Sequence, residues 1–296
     1  MTQHSSPTID RHGQRVAELL EAATQALTAA GDSARLDSEL LLSHVLGVGR
    51  ATLRAWPERC ASDAELALFR ELLARRKQGE PLAYLTGERE FWSLALQVGP
   101  ATLIPRPETE CLVEQALACI PDAATWRIAD LGTGSGAIAL AIASERRGCR
   151  ILATDISEAA LAVARNNQQR LALMNVDFLQ ADWLAGVDGQ PFNVILANPP
   201  YIDEDDPHLL RNGLPYEPRG ALTPGADGLA AIKTIVQQAT RCLIEPGWLM
   251  LEHGLTQGAS VRALFAVNGY EQVNTLCDLE CRERITVGRR LEVVTR

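Results

Sequence analysis

The chain has no apolar run of the roughly 20 residues that a membrane-crossing helix requires, which excludes a helical membrane protein. Its first residues, Met1-Thr2-Gln3-His4-Ser5-Ser6-Pro7, are polar and lack a signal-peptide core, so a frayed start is expected. The seven cysteines (60, 111, 119, 149, 242, 277 and 281) are scattered and odd in number. Only Cys277 and Cys281 lie close together, and no histidine accompanies them. That usage fits reduced thiols in a cytoplasmic protein rather than a disulfide framework. No set of His, Cys and carboxylates has metal-ligand spacing, so no metal is expected. Basic charge is also short: 28 Lys and Arg face 37 Asp and Glu, a net charge of −9. Residues 1–87 hold ten basic and eleven acidic side chains, leaving 18 and 26 for the remainder. A nucleic-acid grip normally shows a basic footprint, because phosphate neutralisation supplies much of its affinity. The one tight cluster, Arg75-Arg76-Lys77, ends a predicted helix before Gly79, where cations favour the helix dipole. Internal repeats and low-complexity segments are absent.

What is present reads as two domains with a connector, comfortable for 296 residues. Val16, Leu19, Leu20, Ala23 and Leu27 fall at helical spacing. Leu36, Leu40, Leu41, His44 and Val45 do so again, and Gly47 follows. Ser62 and Glu65 form a capping box for a third helix that buries Leu66, Phe69, Leu72 and Leu73. Residues 1–85 therefore read as a small all-α bundle. Alternating apolar residues and Gly99-Pro100 predict a short β-hairpin in the connector, 86–107. Over 108–296 strands and helices alternate, as in a doubly wound α/β sheet.

Four segments in that last stretch carry chemistry. Asn198-Pro199-Pro200-Tyr201 follows the apolar run Val194-Ile195-Leu196-Ala197. The Asn198 side-chain oxygen and the Pro199 carbonyl are two acceptors on a loop stiffened by proline, and Tyr201 adds a flat wall. Such a site suits a planar NH2 group on a π-system, either a primary amide or an aromatic amine. Gly132-Thr133-Gly134-Ser135-Gly136 lies between the predicted strand Arg127–Leu131 and a small-residue helix from Ala137. Glycines there let a ligand approach backbone at a helix N-terminus. Asp155 ends the next strand, where a carboxylate commonly holds the ribose hydroxyls of an adenosine-containing cofactor, although it also suits a helix cap. Asp182-Trp183 follows a third strand and offers a carboxylate and an indole for an adenine ring, or simply a core residue. All four follow strand ends and should converge on one crevice.

With these residues placed, the chain resembles a class I S-adenosylmethionine-dependent methyltransferase, with Gly132–Gly136 as its glycine motif and Asp155 as its ribose acid. Leu103-Ile104-Pro105-Arg106-Pro107-Glu108-Thr109-Glu110, Gly79–Gly87 and Glu90-Phe91-Trp92 make it similar to the HemK/PrmC family, from about Arg15 to Val294. The resemblance implies a Rossmann-like seven-stranded sheet of order 3-2-1-4-5-7-6 with the last strand antiparallel. It also implies S-adenosylmethionine as cofactor and methylation of glutamine N5 in the Gly-Gly-Gln tip of class 1 peptide chain release factors. Under it the bundle recognises substrate, Asn198, Pro199 and Tyr201 are catalytic, and Gly132, Thr133, Gly134, Ser135, Gly136, Asp155, Asp182, Trp183 and Asn198 hold cofactor. Asn198, Pro199, Pro200 and Tyr201 face substrate, and Arg106 joins them, unless Arg106 and Glu108 only shape a helix start at Pro107. A cytoplasmic monomer that binds neither membrane nor nucleic acid is expected.

The four-residue motif alone leaves other readings open: a methyltransferase for adenine N6 or cytosine N4 in nucleic acid, or a cofactor-binding module without catalysis. His208 and His253 read as surface or structural, and Asp203-Glu204-Asp205-Asp206 as a solvated loop.

Overall fold

The computed structural model describes residues 14–28, 33–187, 189, 191–211, 213–278 and 280–290, so the polar start at Met1–Pro7 lies outside the described residues. Two compact units divide the chain, residues 1–86 and 87–296. Among the described residues no helix is long and apolar enough to cross a membrane.

The first unit is helical: α1 (Val16–Leu27), α2 (Ala34–Leu46), α3 (Arg50–Ala55), α4 (Asp63–Lys77) and α5 (Leu82–Thr86). The short α3 and α5 come in addition to the three expected. The capping box of α4 is formed: the Ser62 N–H donates to the Glu65 carboxylate at 2.7 Å, and the Glu65 N–H donates to Ser62 Oγ at 3.3 Å. Gly47 ends α2 with φ +61°. Val16, Leu20, Leu41, Leu42, Phe69 and Leu72 share one core.

The buried stripe of α2 differs from the expected one. Leu36 is 42 % exposed and His44 is exposed, while Asp37 and Glu39 are buried beside Leu41 and Leu42. Burial alone would push the Glu39 carboxyl up. Arg50, Arg35 and Arg54 outweigh that and hold it at about 2. Asp37 is paired with Arg76 at 2.8 Å. Buried charge is tolerated when it is paired, and an apolar period cannot register such a face.

The second unit opens with the antiparallel hairpin β1 (Glu88–Phe91) and β2 (Leu94–Gln97). Then follow α6 (Glu110–Cys119), β3 (Arg127–Leu131), α7 (Ala137–Glu145), β4 (Arg150–Asp155), α8 (Glu158–Leu171), β5 (Val176–Gln180) and β6 (Phe192–Ala197). The chain closes with α9 (Ala230–Cys242), β7 (Leu243–Glu252), α10 (Gly258–Val267), β8 (Glu271–Cys277) and β9 (Glu283–Arg290). The sheet order is β5-β4-β3-β6-β7-β9-β8, which is 3-2-1-4-5-7-6 counted from β3. Among the described strands of this sheet β9 alone is reversed, pairing antiparallel with both β7 and β8. This is the Rossmann-like class I methyltransferase sheet, preceded by a helical domain and a hairpin.

Central strands buried on both faces explain the apolar runs. Ile128, Val194, Leu196 and Met250 pack with α6 and α7, while Ala129, Ile195, Leu249 and Leu251 pack with α9 and α10. Every residue of Ala137–Ala143 is buried, and its alanines let α7 lie close to the sheet. Register sets the site: Leu131 pairs with both Thr154 and Ala197, and Asp155 with Gln180. The chain winds outward through β4 and β5 on one side of β3 and through β6 and β7 on the other. That reversal of strand order opens a crevice at the carboxyl ends of β3 and β6.

Candidate functional site

Immediately after β3, Gly132 takes φ +70°, and a Cβ added there would lie 3.1 Å from Trp183 Cζ3. Only glycine meets both conditions without displacing the indole. Gly134, at φ +57°, has open space where a side chain would be, and its N–H donates to Asp155 Oδ2 at 2.9 Å. The Ser157 N–H donates to Asp155 Oδ1 at 2.9 Å. Asp155 thereby braces the start of α8, whose N-cap is Ser157, and ties it to the glycine loop, and it also lines the cavity.

Beneath the loop, Asp130 is fully buried and accepts from the Thr133 hydroxyl at 2.6 Å and the Ala139 N–H at 3.2 Å. Burial dominates these bonds and pushes its carboxyl up to about 7. Asn167, on α8 and fully buried, donates to the Ser135 and Gln97 carbonyls and accepts from the Gln97 N–H at 2.7 Å. One amide thereby clamps the glycine loop to the hairpin. The Thr154 hydroxyl donates to the Trp183 carbonyl at 2.9 Å, holding the segment that carries the indole.

These pieces enclose a cavity of about 560 Å³, lined by Gly132, Gly134, Asp155, Asp182, Trp183 and Asn198 among others. Pro200 also lines it. Thr133, Ser135 and Gly136 lie outside the lining: Thr133 and Ser135 are buried in the support just described, and Gly136 is the N-cap of α7. A Cβ on Gly136 would meet Leu140 Cδ1 at 3.0 Å and Ala164 at 3.3 Å.

On the side away from Asp155, Asn198 follows β6 and donates through Nδ2 to Thr109 Oγ1 at 3.0 Å. Its Oδ1 has no partner among the described residues, and neither has the Pro199 carbonyl. Glu252, the last residue of β7, is buried. The Tyr201 hydroxyl donates to Glu252 Oε1 at 3.3 Å. Burial, and then Glu252, push the Tyr201 hydroxyl well above its usual value, so it remains a donor. The Tyr201 carbonyl accepts from Gln257 at 3.1 Å.

Arg106 lies outside the lining. Its guanidinium pairs with buried Glu217, which also accepts from the Ile104 N–H at 2.9 Å. Pro218, Gly220 and Ala221, just after Glu217, line the cavity, so the ion pair shapes that wall. Glu108 faces Arg282 at 3.8 Å. Fully buried His253 bonds the Gly254 carbonyl and Thr286, and burial lowers its proton affinity. His208 is exposed beside Asp206. Residues 203–205 are exposed.

Thr109, Asn167, Glu217 and Glu252 were not singled out from the sequence. Glu252 had a usable signal, since a carboxylate at the end of a fifth central strand obeys the same strand-end rule as Asp155. Thr109 lay inside the quoted motif. Asn167 had none, being one polar residue on an amphipathic helix.

Comparison with known proteins adds relatives to this geometry. The PrmC N-terminal domain family matches residues 18–87 and the methyltransferase small domain family residues 109–211. The release factor glutamine methyltransferase of Escherichia coli (strain K12) is 50 % identical over 260 residues, covering 88 % of this chain and 94 % of that protein. The protein of the same name from Pseudomonas aeruginosa is 51 % identical over 257 residues, 87 % and 93 % of the two chains. Among solved structures, the T. thermophilus 16S rRNA N2 G1207 methyltransferase superposes with TM-score 0.52 at 17 % identity, covering 69 % of this chain and 49 % of that one, a likeness of fold.

Proposed function

The chain belongs to the family of release factor glutamine methyltransferases, and we propose that it transfers a methyl group from S-adenosylmethionine to glutamine N5 in the Gly-Gly-Gln motif of class 1 peptide chain release factors. It is an enzyme of translation termination under this reading. The observation that carries the chemistry is that Asn198 Oδ1 and the Pro199 carbonyl have no partner among the described residues, Asn198 and Pro200 lining the cavity built by Gly134, Asp155 and Trp183.

The cavity fits the cofactor. Its volume suits a small ligand, Gly134 leaves backbone open to approach, and Asp155 and Asp182 bring acceptors to one wall. Asp155 would hold the ribose hydroxyls with the lone pairs left over from Gly134 and Ser157, and Trp183 would pack on the adenine. When bound, S-adenosylmethionine supplies a methyl already activated by the sulfonium for in-line displacement.

An amide nitrogen is a weak nucleophile because its lone pair is delocalised into the carbonyl. Asn198 Oδ1 and the Pro199 carbonyl would each accept one N–H of the glutamine, drawing electron density onto nitrogen and fixing the amide plane. Pro199 and Pro200 stiffen the loop that holds these acceptors. Tyr201, tethered to Glu252 through its hydroxyl, lies outside the cavity lining and would form a flat wall beside these acceptors. Orientation of this kind is worth ~7–11 kcal/mol in well-placed systems. This route needs no strong side-chain base, because the proton leaves nitrogen once it is methylated.

We assign the helical unit over 1–85 to recognition of the release factor, 86–107 to the connector and 108–296 to cofactor binding and transfer, with the PrmC N-terminal domain match in support of the first. Arg106 contributes to substrate binding by holding Glu217 and the wall beyond it. A cytoplasmic monomer acting on protein, without membrane or nucleic acid, fits the acidic charge of −9.

Labelled S-adenosylmethionine offered separately with release factor, DNA and RNA tests the substrate: label enters release factor only. Label in nucleic acid but not in release factor overturns the reading. Asn198→Ala should lower kcat about 100-fold or more, as removal of a preorganised polar group does elsewhere. Its cofactor Kd should change less than about threefold; equal losses in both would deny Asn198 the acceptor role.

A further inference from the structure

Gln257, the N-cap of α10, lies outside the cavity lining, yet both polar atoms of its side chain are engaged. Its Oε1 accepts from the Gly254 N–H at 2.9 Å. Its Nε2 donates to the Tyr201 carbonyl at 3.1 Å and to the Gly228 carbonyl at 3.2 Å. Turned over, the amide would set its oxygen against two carbonyls and its NH2 against an N–H, so its neighbours fix its orientation. The three segments meet closely here: a Cβ on Gly228 would lie 2.8 Å from the Tyr201 carbonyl oxygen and 3.0 Å from Gln257 Nε2.

We propose that Gln257 is a positioning residue for methyl transfer, holding the loop Asn198–Tyr201 against the start of α9 so that acceptor and methyl donor keep one alignment. This rests on Asn198 Oδ1 and the Pro199 carbonyl as the acceptors for the glutamine amide. Those two acceptors lie between two pins. At one end the Asn198 Nδ2 donates to Thr109 at 3.0 Å, and at the other the Tyr201 carbonyl is held by Gln257. Pro199 and Pro200 lock two of the backbone torsions between the pins, so a fixed Tyr201 carbonyl transmits its position back to the Pro199 carbonyl. The Tyr201 hydroxyl does not duplicate this hold. Its bond to Glu252 at 3.3 Å lies at the far end of a side chain that can rotate, whereas Gln257 grips backbone.

The bond to Gly228 reaches the other half of the reaction. Gly228 belongs to the turn that opens α9, and Ala230, Ala231 and Thr234 of that helix line the cofactor cavity. One amide therefore ties the acceptor loop to a wall of the cofactor site. In-line displacement depends on that alignment, and a misplacement of ~1 Å costs on the order of 100-fold in rate.

Gln257→Glu keeps the shape and the acceptor facing the Gly254 N–H but, when ionised, sets an oxygen against the two carbonyls. Gln257→Met fills the space without polar contacts and carries the test where the glutamate variant fails to fold. In the full chain, with release factor and S-adenosylmethionine, each should lower kcat about 10- to 100-fold. The KM for release factor and the calorimetric Kd for S-adenosylmethionine should stay within about threefold, because the lost contacts align the reactants rather than bind them. Added to Asn198→Ala, Gln257→Glu should cost less than about threefold more, since the acceptor pair it positions is already broken. Wild-type kcat in both Gln257 variants, a loss that appears in KM or Kd instead of kcat, or losses that multiply in the double variant would overturn the positioning role. Wild-type kcat in Asn198→Ala overturns the acceptor reading and the positioning role with it. A failure of Gln257 alone leaves Asn198→Ala impaired, so the two failures are told apart.

Discussion

Glu252→Gln keeps the size of a buried side chain and removes its titration, so it isolates one ionisation in the folding energetics. Burial raises the folded-state carboxyl from 4.5 to about 7. Below pH 4.5 the folded and unfolded chains both hold the proton, and the contribution to stability is fully present. As pH rises from 4.5 to about 7 the unfolded chain has released the proton while the folded chain still binds it, so stability falls. Above about 7 both are ionised and the slope disappears. The gap, about 7 minus 4.5, is about 2.5, which at ~1.4 kcal/mol per pH unit comes to about 3.5 kcal/mol. Asp130, raised from 3.8 to about 7, adds a similar slope in the same window, but to both proteins, and cancels in their difference. Hydrogen bonds altered by the amide give an offset that does not depend on pH. The assay is urea unfolding followed by tryptophan fluorescence from pH 5 to 8.5; four of the five tryptophans (92, 126, 183 and 248) lie in the 87–296 unit. Relative to wild type, the variant should gain about 2–3 kcal/mol between those limits. Parallel stability curves, or a variant that loses ground as pH rises, would refute the raised carboxyl.

Gly132→Ala forces a side chain to φ +70° and sets its Cβ 3.1 Å from the Trp183 ring. The strain costs about 1–3 kcal/mol, seen as a melting temperature lower by several degrees, and the displaced indole should weaken S-adenosylmethionine binding at least tenfold by calorimetry. An unchanged Kd would remove Trp183 from the cofactor site. Asp155→Ala leaves the Gly134 and Ser157 N–H groups without their partner, so cofactor Kd should rise about 10- to 100-fold through the lost charge-assisted bonds and the loosened loop. Asp155→Asn, which keeps one acceptor oxygen, should fall between; wild-type affinity in both variants would exclude the ribose role.

The strands, the hairpin and the main walls of the cavity were legible because each leaves a local trace, while the strand order came only from the resemblance to a known family. Apolar runs mark strands buried on both faces, and glycines mark a loop whose backbone must turn and remain open. The capping box at Ser62 is visible from two residues three apart, and it is formed. What escaped was polar and long-range. Asn167 reaches Gln97 across 70 positions, Asn198 reaches Thr109 across 89, and Ile104 reaches Glu217 across 113. Such pairs have no period and no spacing, because the fold alone makes the partners neighbours. The displaced stripe of α2 has largely the same cause: Asp37 and Glu39 are stable inside because Arg76, Arg50 and Arg54 arrive from elsewhere in the helical unit, with Arg35 adding a local i,i+4 pair on α2 itself.

The segment Pro105-Arg106-Pro107-Glu108-Thr109 shows why a choice between a helix start and a site role was too narrow. Pro107 opens a 3-10 turn over Pro107–Thr109 that leads into α6, as a structural proline should. That turn also buries Thr109, to 4 % exposure, where its hydroxyl meets Asn198. Three residues earlier, Arg106 neutralises Glu217, whose second oxygen holds the Ile104 N–H. A buried carboxylate left without that guanidinium would carry an uncompensated charge, and the wall that follows it would lose its anchor. One short turn therefore fixes the orientation of the acceptor amide on one side and the cavity wall on the other. A side chain that touches neither ligand can still be indispensable at such a junction, because the geometry at both ends depends on it.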